Sequence, residues 1–203
     1  MPIYYSYVVT RDFGFAPNPF GGFCTLATCK QRIRKSANVD DWIFGITSRK
    51  LSNRLLYAMK VNEKLTYDEY WNDNRFQYKK PIMNGSLKQM YGDNIYYYNK
   101  NLKQWHQQNS HHSLDNGVVN QHNLTRDTSG KYVLISKEYY YFGEKNVELP
   151  ISLKDKLIVG INHRITEDAA GKKIIKWLKS EFVLGYHADP ISFANFKRYD
   201  GKS

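Results

Sequence analysis

Between residues 14 and 23 the chain reads Gly14-Phe15-Ala16-Pro17-Asn18-Pro19-Phe20-Gly21-Gly22-Phe23, a segment through which no regular helix or strand can run. Prolines at 17 and 19 fix φ and remove backbone donors, and the glycines admit positive φ. The fold must turn here. Strand-like stretches flank the turn: residues 3–10, rich in Tyr and Val, and residues 41–48, which begin Asp41-Trp42-Ile43-Phe44. A loop held on such a frame either presents Phe13, Phe15, Phe20 and Phe23 to a ligand or packs them over one end of a sheet. Both readings stand on the sequence.

Residues 24–35 predict a helix with Leu26, Cys29 and Ile33 on one side and Lys30, Arg32, Arg34 and Lys35 towards water. Cys24 and Cys29 are the only cysteines. Five apart on a helix they diverge, so no disulfide is expected, and without a C-x-x-C spacing they make a poor zinc site. Both are expected as small buried hydrophobes, with a redox or nucleophilic role as the alternative. Residues 54–61 predict a strand, and Thr66-x-x-Glu69 has the capping-box spacing that starts a short helix through Trp71. Residues 94–99 and 131–142 predict further strands, and residues 150–163 form a Pro-bounded apolar segment around Leu157-Ile158-Val159. The clearest helix covers residues 167–182, where Ile174, Ile175, Trp177, Leu178 and Phe182 oppose Lys172, Lys173, Lys176 and Lys179.

The length, 203 residues, suits one domain spanning 1–203. Thirty Lys and Arg against nineteen Asp and Glu give a net charge of +11, which draws polyanions at low salt. Aromatic residues at 15% of the chain add faces on which bases stack. No apolar run reaches bilayer length and the N-terminus lacks a secretory pattern, so no membrane partner and a cytoplasmic location are expected.

The polar stretch 103–122 is too long for an idle turn. It contains His111-His112, flanked by Ser110 and Ser113 and followed by Asp115. In an irregular loop both imidazoles can reach one ligand, so with Asp93 and Asn94 they could hydrogen-bond a base edge, hold a divalent ion or polarise water. The bland alternative is a histidine pair fixed by backbone carbonyls. The chain has no H-E-x-x-H, P-loop, G-x-S-x-G or H-x-E with P-C-x-x-C, which removes the usual anchors of zincin, P-loop NTPase, α/β-hydrolase and zinc deaminase readings.

The order of these elements, with Val39-Asp40-Asp41-Trp42-Ile43 opening the second strand, resembles the PUA-like group of small β-barrels that includes EVE, ASCH and YTH domains. That group has a Gly-Asp-x-Val type motif at this place, and here Asp stands for Gly. More closely, the chain to about residue 143 resembles the nucleotide modification associated domain family, type 2. The resemblance rests on Gly14 to Phe20, Cys24-Thr25-Leu26-Ala27-Thr28-Cys29-Lys30, Tyr67-Asp68-Glu69-Tyr70-Trp71-Asn72-Asp73, Tyr91-Gly92-Asp93-Asn94-Ile95-Tyr96 and Ser110-His111-His112-Ser113-Leu114. It implies an α+β fold: a small PUA-like, EVE-like twisted β-barrel with short flanking helices, residues 144–203 forming a strand and helix extension of the same domain. It also implies binding of an unusual nucleotide and association with nucleic-acid modification or defence proteins.

The leading reading is a module that binds a modified nucleotide or a flipped modified base in nucleic acid. Trp42, Phe20 or Tyr96 would stack, Asn18, Asn94 and Asp93 would read the edge beside His111 and His112, and Arg32, Arg34, Lys35, Lys79 and Lys80 would hold phosphates. The alternative is a nucleotide- or nucleic-acid-processing enzyme using His111, His112 and Asp93 as acid, base or metal ligands. No cofactor is expected, a divalent metal entering only under that alternative. A third reading is a protein-interaction domain whose basic faces are merely solvated.

Overall fold

The computed structural model describes residues 1–157, 162–194 and 196. In chain order the strands and helices are β1 (Tyr4–Val8), β2 (Cys24–Leu26), α1 (Gln31–Ser36), β3 (Trp42–Ile46), β4 (Leu55–Lys60), β5 (Glu63–Thr66) and α2 (Tyr67–Asn72). Then come α3 (Leu87–Met90), β6 (Tyr96–Asn99), β7 (Gln104–Gln107), α4 (Gln121–Thr128), β8 (Tyr132–Ser136), β9 (Tyr139–Tyr141), β10 (His163–Thr166), α5 (Asp168–Glu181) and β11 (Gly185–Tyr186). Short 3-10 turns join several of them.

Six strands make one mixed sheet in the order β10-β1-β3-β4-β9-β11. β1 and β3 run parallel, so the chain between them must cross over, and the Gly/Pro loop, β2 and α1 form that crossover. Period-two alternation gives the sheet two apolar faces. Tyr4, Trp42, Phe44, Ala58 and Tyr140 pack with Ile174 and Leu178 of α5. Tyr5, Tyr7, Ile43, Tyr57, Met59 and Tyr141 pack with Leu26, Ile33 and Leu134. The latter belong to α1 and to a second, three-stranded sheet, β2-β8-β5. Beyond that sheet a third cluster, including Phe15, Tyr67, Tyr70, Tyr96 and Val133, lies beneath α2 and the β6-β7 hairpin.

The fold is α+β, as expected, but its described strands form three separate sheets and no closed barrel. Two further expectations change. Residues 24–35 are not one helix: Cys24–Leu26 is a buried strand, and only Gln31–Ser36 is helical. Residues 131–142 hold two strands, since a turn after Ser136 sends β8 to the small sheet and β9 to the large one. The capping box at Thr66 and Glu69 is present, with both reciprocal bonds made. Of the segment around Leu157-Ile158-Val159, Leu157 is buried and residues 158 and 159 lie outside the described residues. No helix among the described residues is long and apolar enough to cross a membrane.

Candidate functional site

The chain leaving β2 reverses sharply before α1, because two successive residues adopt left-handed conformations, Cys29 with φ 54° and Lys30 with φ 40°. Neither is glycine, and each such L-residue costs about 1–2 kcal/mol. Strain of this kind persists only where the surroundings fix it. Here they do: the Cys29 N–H donates to Asp127 Oδ1 at 2.9 Å, and its carbonyl accepts from Arg34 Nε at 2.7 Å.

The turn sets the Cys29 Sγ 3.8 Å from His112 Nε2, and the other ring nitrogen, Nδ1, lies 2.7 Å from Asp127 Oδ2. A carboxylate only accepts, so Nδ1 carries a proton and Nε2 is turned to the sulfur. Asp127 is on α4 and wholly buried. The Tyr96 hydroxyl donates to its Oδ2 at 3.0 Å. The His112 carbonyl accepts from the side-chain amides of Gln107 and Asn123, each at 3.0 Å, which pins the loop. Burial works to lower the His112 pKa, but the bonds to Asp127 and Cys29 outweigh it and raise the value to about 9. Burial likewise opposes the charge on Asp127, yet His112, Arg34 and Arg126 hold its carboxyl below the usual carboxylate range.

Cys29, His112 and Asp127 are also the group that could approach a metal ion among the described residues, their donor atoms lying within 4.8 Å of one another. The geometry argues for another use. His112 turns one ring nitrogen toward each of the other two. Asp127 is already engaged by the Cys29 N–H, the His112 N–H and the Tyr96 O–H. Sulfur, imidazole and carboxylate in line are instead the arrangement of an activated nucleophile, its base and an orienting group.

The triad opens on a cavity of about 450 Å³. Tyr7, Phe13 and Phe15 give it an aromatic wall, and Arg11, Lys30, Arg32 and Arg126 a cationic one. His111 also lines it, its ring 4.8 Å from that of Phe13 and 5.1 Å from that of Tyr91. Desolvation by these neighbours and the charges of His112 and Arg11 lower its pKa to about 4. Two adjacent histidines thus hold opposite protonation states near neutral pH.

Of the residues named from sequence, His111, His112 and Arg32 meet at this cavity, and Tyr96 stands behind it through Asp127. The others lie elsewhere. Asp93 is buried, accepting from the Thr25 and Tyr70 hydroxyls at 2.7 Å each, and burial raises its pKa. Lys79 is buried too, its pKa lowered to about 8 by desolvation. Its Nζ donates to Asn18 O and Oδ1 and to Phe23 O, which clamps the Gly/Pro loop from below. The Asn18 amide donates to Tyr91 O, and that of Asn94 to Tyr70 O and Phe76 O. Trp42 is 4% exposed in the core under α5. Phe20 packs on Tyr186 and Phe193.

The cations divide similarly. Arg34 is fully buried, with four hydrogen bonds to Cys29 O, Asp127 O, Tyr132 O and the Tyr67 hydroxyl, and has no surface to offer a phosphate. Lys79 has none either. Lys80 sits 3.7 Å over the Trp71 ring, and Lys35 is exposed on α1. Sequence reasoning set Cys29 aside as a small buried hydrophobe and missed Asp127. The usable signal was Cys24-Thr25-Leu26, strand-forming residues that end any helix before Cys29 can be part of it.

The family model described as nucleotide modification associated domain 2 matches residues 1–197. No curated protein and no solved structure matches the chain.

Proposed function

The chain belongs to the nucleotide modification associated domain 2 family, and from that premise we propose that it is a thiol-dependent enzyme acting on a nucleotide. Cys29 is the nucleophile, His112 carries its proton and Asp127 orients and stabilises the imidazolium. The supporting observation is the alignment of Sγ, imidazole and carboxylate on a strained turn in a cationic, aromatic-walled cavity. The cavity draws on residues from Tyr7 to His163, which supports reading the chain as one domain. A reducing cytoplasmic location suits a reactive Cys29.

The chemistry that fits is attack on an acyl or imidoyl carbon, such as an amide, ester or amidine on a base. The sulfur lone pair forms the C–S bond while the C=O or C=N pair moves to oxygen or nitrogen. As that pair returns, the leaving amine or alkoxide takes the Nε2 proton of His112. Neutral His112 then removes a proton from water as the water oxygen attacks the thioester or thioimidate carbon and the C–S bond breaks. The cycle closes with the proton back on His112, and Asp127 stays ionised throughout.

The experiment is incubation of the protein with nucleotides bearing an acylated exocyclic amine, free and within oligonucleotides, followed by mass spectrometry of substrate and protein. Loss of the acyl group, with a transient acyl mass on Cys29, is expected. Both should vanish in Cys29→Ala, and His112→Ala should slow turnover by about 10²–10⁴-fold. Tight binding of modified nucleotides with neither product nor adduct would return the account to a binding module using the same cavity.

A further inference from the structure

The cavity around Cys29 is short of negative charge. Asp127 lies beneath it, already matched by His112 at 2.7 Å. Against it stand Arg11, Lys30, Arg32 and Arg126. Arg11 and Arg32 are exposed and make no hydrogen bond or ion pair with any described residue. Arg11 stands near enough to His111, and Arg32 to His163, to depress the pKa of each, so the two free guanidinium groups border the cavity beside known wall residues.

Arg126, by contrast, is held from within the protein. Its Nη2 is fixed on Asn123 Oδ1 at 2.9 Å, while its Nε is buried without a hydrogen-bond partner, the nearest carboxylate oxygen being Asp127 Oδ1 at 3.6 Å. Of the cations named from sequence as phosphate holders, Arg34 and Lys79 are buried and Lys80 lies on Trp71. A volume of about 450 Å³ suits one nucleotide.

We infer that the cavity takes a free nucleotide with a terminal phosphate, gripped by Arg11 and Arg32. The inference rests on reading the cavity as a nucleotide site. A phosphomonoester dianion suits two unpaired guanidiniums, each able to bond two oxygens at once. Lys30, desolvated and 4.3 Å over the Tyr7 ring, sits between the phosphate side and the sulfur in sequence and lines the same wall.

The test uses full-length Cys29→Ser protein, so that binding is read without turnover. Calorimetry compares dCMP, dTMP, AMP and GMP with their nucleosides and with a short single strand ending in hydroxyls. Mononucleotides should bind at least about tenfold more tightly than nucleosides. Arg11→Gln and Arg32→Gln should remove that advantage and leave nucleoside affinity unchanged, with melting temperatures unaltered because neither side chain has a hydrogen-bond or ion-pair partner to lose among the described residues. In the parent protein, mononucleotides should protect Cys29 from alkylation better than the strand does. Equal affinity for nucleotide and nucleoside, or better protection by the strand, would overturn the inference while leaving the cavity a nucleotide site. If no nucleotide, nucleoside or strand binds or protects, the nucleotide reading itself fails, and the phosphate subsite with it.

Discussion

At Cys29 the backbone adopts a conformation that a glycine would take without strain, and the structure holds it there with Asp127, the residue that also orients His112. One carboxylate therefore couples the position of the Cys29 sulfur to that of the His112 imidazole. The coupling has a pH signature. His112 is raised from its ordinary value near 6.5 to about 9, so its pairing stabilises the fold fully below about pH 6.5 and is lost as pH rises through about 9. The loss should approach roughly 3 kcal/mol. Denaturant melts across that window should show this fall for the parent and no such fall for His112→Gln. His111 has the opposite sign, favouring the fold above pH 6.5 and losing it towards pH 4, but its exposure to solvent makes the effect smaller. An alkaline limb unchanged in His112→Gln would mean that the imidazole is not paired as described.

Among elements, the short helix α1 decides most. Its Arg34 points inward and ties Cys29, Asp127, Tyr132 and Tyr67 together. The Cβ of an alanine at Gly130 would lie 2.6 Å from that guanidinium, which is why only a glycine fits there. Arg34→Lys cannot reproduce a planar fork of donors, so it should destabilise the protein by about 3 kcal/mol and reduce thiol-dependent activity at 25 °C, where the fold survives. A variant of parental stability and activity, by calorimetry and turnover, would contradict the role. From sequence the same arginine looked solvent-facing, because a helix drawn over residues 24–35 fixes the wrong phase. Helical periodicity could be traced through the segment, but Cys24–Leu26 is a strand paired to β8, a tertiary partner that local pattern does not reveal. The residues of α5, by contrast, were legible to within a residue at each end, since a fourteen-residue amphipathic stripe is a local signal.

For the whole molecule, the sheet strands near the N-terminus could be read from apolar runs, whereas the three-sheet arrangement depends on pairings that cross long stretches of chain, such as β1 with β10. The site shows the same limit. His111 and His112 stood out as a motif, but Cys29, His112 and Asp127 are brought together from a turn, a loop and a helix, and no spacing announces them. Conversely Asp93, Asn94, Asn18 and Lys79 formed a plausible polar set by residue type, and the structure spends them on a buried network under the Gly/Pro loop. Net charge is a property of all 203 residues and says that anions will be drawn to the surface, whereas the proposed phosphate subsite rests on where Arg11 and Arg32 lie at the cavity.

The central claim is that Cys29 is an activated nucleophile, and the rate of its alkylation tests this most directly. Iodoacetamide at about pH 6, with peptide mapping to separate Cys29 from the buried Cys24, should modify Cys29 at least about tenfold faster than it modifies free glutathione. His112→Gln and Asp127→Asn should abolish that advantage. A Cys29 that reacts no faster than glutathione, at a rate indifferent to both substitutions, would contradict the account.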